Sequence, residues 1–341
     1  MINLTDYGFM PDTMPKDIKS LPARVTAAHR DRYEIVCKYG QIYAKLKTSV
    51  YYNNSGENFP TTGDFVLFNH IPESDSVIVK TLERKSLFSR LEPGPIPRQQ
   101  AIAANFDYVF IMASLNHDFN IRRIERYLAI ANQSGGVPVV VLTKADLAGD
   151  FSARLRETED IAAGAAVHAV SAVTGFGTET LAQYFKPGKT IVFLGSSGVG
   201  KSSLVNALAG EDIMAVNAMR NVDASKGRHT TTHRQLVMLS GGVMVIDTPG
   251  MRELAMIDIS ENLAGSFADV EQFLGKCKFN DCGHQSEPGC AVKAAIENGR
   301  LSPKRWESYQ NLDNEAKHGV QRQNSKKGKK IKERGGIYDE E

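Results

Sequence analysis

Gly195-Ser196-Ser197-Gly198-Val199-Gly200-Lys201-Ser202 lies between the apolar run Thr190-Ile191-Val192-Phe193-Leu194 and the segment Ser203-Leu204-Val205-Asn206-Ala207-Leu208. That order reads strand, glycine-rich loop, helix, the setting a phosphate loop of the form G-x-x-x-x-G-K-[ST] requires. Glycines let successive backbone N–H groups turn inward around a phosphate, and the helix N-terminus adds partial positive charge. Lys201 supplies a full charge that can follow the phosphates. Ser202, followed by Ser203, offers a hydroxyl to Mg²⁺.

Upstream, Tyr108-Val109-Phe110-Ile111-Met112-Ala113 and Val137-Pro138-Val139-Val140-Val141-Leu142 are continuous apolar runs, as in a parallel sheet covered on both faces. Between them Ile121 to Ala131 has helical spacing with Ile124, Leu128 and Ala131 inward. The second run delivers Thr143-Lys144-Ala145-Asp146 to its C-terminal end, where open α/β sheets bind ligands. This tetrad is similar to the N-K-x-D base-reading motif of GTPases, with Thr143 where Asn is usual. A carboxylate at Asp146 can accept both the N1–H and the 2-amino hydrogens of guanine, a donor pair adenine lacks. Val167 to Val170 then leads to Ser171-Ala172, similar to the second guanine element.

After the phosphate loop, Gln235 to Leu239 and Val243 to Ile246 form an expected hairpin across Ser240-Gly241-Gly242, and Asp247-Thr248-Pro249-Gly250 matches D-x-x-G. There Asp247 steadies Mg²⁺ through water and the Gly250 N–H faces the γ-phosphate. The base-reading elements precede the phosphate loop, so the reading is a circularly permuted G domain.

The flanks complete a multi-domain α/β chain. Residues 1–20 are expected to be a loose arm. Over 21–85, Arg32 to Cys37, Gln41 to Leu46, Asp64 to Phe68 and Ser76 to Leu82 alternate at a strand period and read as an OB-like β-barrel. Tyr33, Tyr39, Tyr43, Lys45, Lys47, Tyr51 and Tyr52 are its candidate RNA contacts. Glu83 to Gln100, with Pro93, Pro95 and Pro97, reads as a basic linker, and the G domain is placed at 86–259. Residues 260–317 hold Cys277, Cys282, His284 and Cys290, a donor set and spacing that suit one closed, structural Zn²⁺ site. Cys37 stands apart and reads as a core residue. Residues 318–341 form a lysine-rich tail suited to RNA phosphate.

Composition agrees with a folded, non-membrane chain. The 341 residues are 42% hydrophobic, their formal net charge is +2, and four cysteines are too few for a disulfide scaffold. No run is long enough to cross a bilayer and Met1 to Met10 lacks a leader pattern, so the cytoplasm is the expected location; the chain is also expected to be a monomer.

The rotated motif order, the barrel before it, Gly227-Arg228-His229-Thr230-Thr231-Thr232 within it and the Cys/His cluster after it resemble the ribosome small-subunit-dependent GTPase A family. The resemblance implies a GTPase that binds GTP and GDP with Mg²⁺, docks on the small (30S) ribosomal subunit and its rRNA, and acts late in its maturation. Met251 stands where Ras-like enzymes place a water-orienting Gln. The resemblance instead gives His229 a role in hydrolysis, and one of Thr231 or Thr232 is the expected Mg²⁺ ligand of the GTP state. A nucleotide-gated RNA-binding module, or a permuted GTPase of the large subunit, are the competing readings.

Overall fold

A computed structural model of the chain describes residues 1–14, 19–51, 59–91, 99–162, 164–211, 234–247, 267–285, 287–311 and 313. Five strands build the N-terminal barrel: β1 (Leu21–Ala28), β2 (Tyr33–Cys37), β3 (Gly40–Leu46), β4 (Phe65–Asn69) and β5 (Ser76–Thr81). They pair in the order β1-β2-β3-β5-β4, and β4 returns to β1, so no edge is left open. Ala23, Val25, Ile35, Cys37, Ala44, Val66, Phe68 and Ile78 fill the interior. Tyr51, on the short helix α1 (Thr48–Tyr51), is buried with them and bonds the Thr81 hydroxyl at 3.0 Å. It is therefore a core residue and not an RNA contact, whereas Tyr39 and Tyr43 stand exposed beside His70 and Arg32. Tyr52 lies outside the described residues.

Two expectations are corrected next to the barrel. The N-terminal arm is packed: Leu4 and Phe9 are buried against Val36, Leu67 and Leu82. Apolar side chains four and nine residues from the start were enough to anchor it. Gly8 turns left-handed (φ 77°) so close to the next domain that a Cβ would sit 2.6 Å from the Gly188 carbonyl oxygen. The expected basic linker is a hairpin of β6 (Leu87–Leu91) and β7 (Gln99–Ala104). Phe88, Ile102 and Ala103 bury its inner face in the central core, and its prolines fall between the two strands at 92–98, outside the described residues.

The central sheet adds β8 (Tyr108–Ser114), β9 (Val137–Thr143), β10 (Ala166–Ala169), β11 (Thr190–Gly195), β12 (Gln235–Met238) and β13 (Met244–Asp247) in the order β10-β9-β8-β11-β13-β12. All neighbours are parallel except the β12–β13 hairpin. Helices α2 (Ile121–Gln133) and α3 (Ser152–Ile161) cover one face, with Ile124, Leu128, Ala131 and Ile161 inward. Helix α4 (Lys201–Ala209) covers the other through Leu204 and Val205. Burial on both faces is why these strands read as unbroken apolar runs.

Asp107 pins the start of the sheet. Its carboxylate accepts from Lys85 Nζ (2.8 Å), Lys189 Nζ (3.1 Å) and the Thr190 amide (2.9 Å). Burial pushes the carboxyl up, but these donors outweigh it and hold it below its ordinary value. That stabilisation is therefore present above the unfolded carboxyl's range and is lost as pH falls through the folded value. Asp107→Asn is expected to cost about 1–3 kcal/mol at neutral pH. Denaturant titrations should show the difference from wild type shrinking as pH is lowered below the ordinary carboxylate range.

The C-terminal lobe carries α5 (Ala268–Glu271), α6 (Ala291–Glu297) and a helix over 303–311. Its core is small: Phe267, Val270, Cys290, Val292, Ala295 and Leu301, with Trp306 and Tyr309 against it. It leans on α2, where Ser308 bonds the buried Glu125 carboxylate and Arg122 pairs with Glu307 at 3.0 Å. Leu312 and residues 314–341, including the lysine-rich tail, lie outside the described residues. No helix among the described residues is long and apolar enough to cross a membrane.

Candidate functional site

Three strand ends of the same sheet edge carry the site. The glycine loop leaves β11 at Gly195, where a side chain would collide with the Met112 carbonyl oxygen (2.9 Å) on neighbouring β8. Gly198 (φ 76°) and Gly200 (φ 104°) take left-handed conformations, which turn the loop inward before α4 begins at Lys201. Val199 is buried beneath it, and Leu204 N bonds Gly200 O at 2.9 Å, so the first turn of α4 is closed at the loop's end.

The Thr143-Lys144-Ala145-Asp146 tetrad leaves β9 at the same edge and is bonded directly to that loop. Thr143, buried, donates its hydroxyl to the Val199 carbonyl at 2.6 Å, with Ala113 O at 3.3 Å. Lys144 Nζ donates to Gly198 O at 2.7 Å. Lys144 itself is left-handed at φ 59°, a costly conformation for a residue with a side chain, and it aims Asp146 outward from the strand end. Thr143 thus braces the phosphate loop as an Asn amide could, and its hydroxyl hydrogen is spent on that brace.

The loop after β10 completes the base side. Ser171 Oγ donates to Asp146 Oδ1 at 2.6 Å and accepts from the amides of Val173 (3.3 Å) and Thr174 (3.2 Å). Ala145 N donates to Val170 O at 3.2 Å, so the Thr143–Asp146 segment and the segment leading to Ser171 are zipped together. The remaining Asp146 oxygen carries no bond among those described here, leaving an acceptor edge beside Ser171 and Ala172.

Two contacts that motif reading did not single out lie on the phosphate side. Ser196 Oγ donates to Asp118 Oδ2 at 3.2 Å, and Arg123 Nη1 meets the same oxygen at 3.2 Å. Arg123 lowers the Asp118 carboxyl below its ordinary value. Asp118 sits in the loop before α2, so a hydrogen-bond chain runs from the glycine loop to the helix on which the C-terminal lobe leans. An unmotivated Asp in a β–α loop gives no signal in a single sequence.

His229, Thr231, Thr232 and Gly250 lie outside the described residues, as does Met251. Asp247 closes β13, next to β11 in the sheet.

The cysteine cluster assembles from the residues named in the sequence. Sγ of Cys277, Cys282 and Cys290 and Nδ1 of His284 all lie within 4.8 Å of one another, with the thiol sulfurs 3.4 to 3.6 Å from the imidazole nitrogen. Four soft donors at these separations can share one tetrahedral ion. Amides of Ala291 (to Cys277 Sγ, 3.4 Å) and Lys293 (to Cys290 Sγ, 3.5 Å) support thiolate charge. Burial pushes Cys277 up but is outweighed by the Ala291 amide and the neighbouring thiols, whereas burial takes Cys282 up to about 11.

A family model described as RsgA GTPase matches residues 81–257. A protein named small ribosomal subunit biogenesis GTPase RsgA 2, from Listeria monocytogenes serotype 4b, is 44% identical over 92% of this chain and 89% of its own length. Its namesake from Vibrio parahaemolyticus is 44% identical over 85% of this chain and 78% of its own. Among solved structures, YjeQ from Thermotoga maritima superposes with a TM-score of 0.64 at 30% identity, covering 87% of this chain and 98% of that one. YloQ, described as a circularly permuted GTPase, superposes at 0.61 with 25% identity, over 89% and 98%.

Proposed function

The chain belongs to the RsgA GTPase family, and from that premise we propose that it couples GTP hydrolysis to late maturation of the small ribosomal subunit, which stimulates it. Its fold is a circularly permuted GTPase between a closed five-stranded barrel and a Cys/His lobe. One observation supports the reading above all: the Asp146 edge and the glycine loop are joined by the Thr143–Val199 and Lys144–Gly198 bonds, so base and phosphates of one nucleotide have a common cradle.

Within that reading Asp146 selects guanine, Ser171 and Ala172 approach the base, and residues Gly195 to Ser203 wrap the phosphates. Thr143 acts through the loop it braces. Ser202 and Asp247 would hold Mg²⁺, with Thr231 or Thr232 joining in the GTP state; the ion supplies charge neutralisation on the phosphates. Lys201 adds a donor there, and His229 positions the attacking water. The zinc-binding cluster is structural, one ion per chain. Lys38, Tyr39, Tyr43, Lys45 and Lys47 give the barrel a basic, aromatic face for rRNA. The site of action is the cytoplasm and the chain works as a monomer.

His229→Ala tests the catalytic part. Small-subunit-stimulated turnover should fall about 10²- to 10⁴-fold with GTP affinity kept. Stimulation by separated large subunits instead of small ones would reject the assignment of partner, and unchanged turnover of the variant would reject the role of His229.

A further inference from the structure

The barrel joins the central sheet where β1 meets β12, and that seam lies at the chain position just after residues 226–233. Strand β1 pairs with β12 through Ala27 and Gln235. Thr62, fully buried, donates its hydroxyl to the Arg234 carbonyl at 3.1 Å. Arg234 follows closely in sequence on His229, Thr231 and Thr232, the residues expected to act in hydrolysis and Mg²⁺ binding.

The rest of the Thr61–Asp64 loop is fitted without slack. Gly63, at φ 94°, sits where a Cβ would lie 2.1 Å from Ala104 O and 3.0 Å from Ile246 Cδ1, so backbone of the barrel presses directly on β7 and β13. Thr61 Oγ1 bonds Ile102 O at 3.1 Å, while the Asp64 carboxylate takes the Thr61 amide at 2.8 Å and Arg84 at 2.7 and 2.8 Å. Behind the loop, wholly buried Arg24 bonds Gly63 O (3.2 Å), Asn105 O (2.9 Å) and Met244 Sδ (3.2 Å). Met244 begins β13, the strand that ends at Asp247.

Apolar faces can slide over one another; buried hydrogen bonds at a fixed register cannot without leaving a polar atom unpaired. We propose that the Thr61–Asp64 loop is a wedge through which a partner held on the barrel sets the position of β12, and that Thr62 is thereby a positioning residue for hydrolysis. The inference rests on the small-subunit-stimulated reading above. A load that shifts the barrel moves Arg234 and Gln235, and Gln235 stands opposite Asp247, the proposed Mg²⁺-side residue at the end of β13. The wedge deepens that reading by naming a route from a partner on the barrel, through β12 and β13, to the Asp247 end of the site.

The test compares full-length wild type, Thr62→Val, which keeps shape and removes the donor, and Thr62→Ser, which restores it. GTP turnover is measured alone and with saturating small subunits, and subunit affinity by co-sedimentation. Thr62→Val should lose about 10- to 100-fold of stimulated kcat with unstimulated turnover, the KM for GTP and subunit affinity unchanged, and Thr62→Ser should recover most of it. Stimulated kcat unchanged in Thr62→Val, or a fall matched by equal loss of basal turnover or of subunit binding, overturns the wedge. If Thr62→Val does not fold, hydrogen exchange in the wild type decides: amides of 234–238 should slow on subunit binding in the presence of a non-hydrolysable GTP analogue, and unchanged exchange rejects the proposal. Absence of any stimulation in the wild type would instead overturn the small-subunit reading itself.

Discussion

Replacing Asp146 by Asn is expected to move the nucleotide preference from guanine to xanthine. The carboxylate offers two acceptors, which match the N1–H and 2-amino donors of guanine. A carboxamide offers one acceptor and one donor, which match the N1–H and the 2-oxo group of xanthine. With guanine, the new amide N–H faces the amino group and neither finds an acceptor, at a cost of roughly 2–5 kcal/mol. GTP affinity should therefore fall by about 30- to 5000-fold, while xanthosine triphosphate binds more tightly than to wild type. Ser171 sharpens the expectation, because its hydroxyl donates to Asp146 Oδ1 at 2.6 Å and holds the carboxylate plane. Ser171→Ala alone should cost about 1 kcal/mol of GTP binding, one hydrogen bond's net worth. Equilibrium titration with both nucleotides checks each step. A variant that loses GTP without gaining the xanthine nucleotide would mean that Asp146 holds its loop and does not read the base.

Which parts of this molecule could be read from residues follows from how each signal is generated. β8, β9 and the β12–β13 hairpin were legible because burial on both faces, or a Gly-Gly turn, leaves a local pattern. Their order around the glycine loop was then enough to place base and phosphate elements on one edge. β1 left no such pattern: Arg24 and Thr26 are as buried as Val25 and Ala27, because Arg24 finds its partners in segments distant in sequence. The β6–β7 hairpin was hidden by its prolines, which fall in the sequence between the strands and not in them. Thr143 carries the same lesson at the site. It stands where Asn is usual, and its hydroxyl at that strand end reaches Val199 O. What composition cannot carry is a contact between residues far apart in the chain, and the wedge at Thr62 and Asp118–Ser196 are both of that kind.

Removing the metal from the C-terminal lobe should unfold the lobe and spare the nucleotide site. Among the described residues the lobe's core is six buried side chains, one of them the proposed ligand Cys290, and Cys277 and Cys282 pack against them. So little apolar area cannot offset the chain entropy of ordering the segment, and an ion held by the cluster would contribute the difference, on the order of 10 kcal/mol for sites of this type. The two central clusters around β8 and β11 contain no ligand residue and do not depend on it. Trp306 makes the event visible, since it is the single tryptophan, with its ring edge-on to the ligand His284 at 5.4 Å and stacked on Tyr309 at 5.6 Å. A strong chelator, or Cys290→Ser, should shift its emission to the red and open it to quenchers, with GTP affinity kept; Cys37→Ser, in the barrel core, should leave the emission alone. The affinity for metal should also fall as pH drops, because the thiols must release protons to bind. Metal analysis giving about one zinc per chain, released in step with the change in emission, completes the measurement. Emission that stays fixed while the metal leaves would show that the four side chains bind an ion without holding the lobe together.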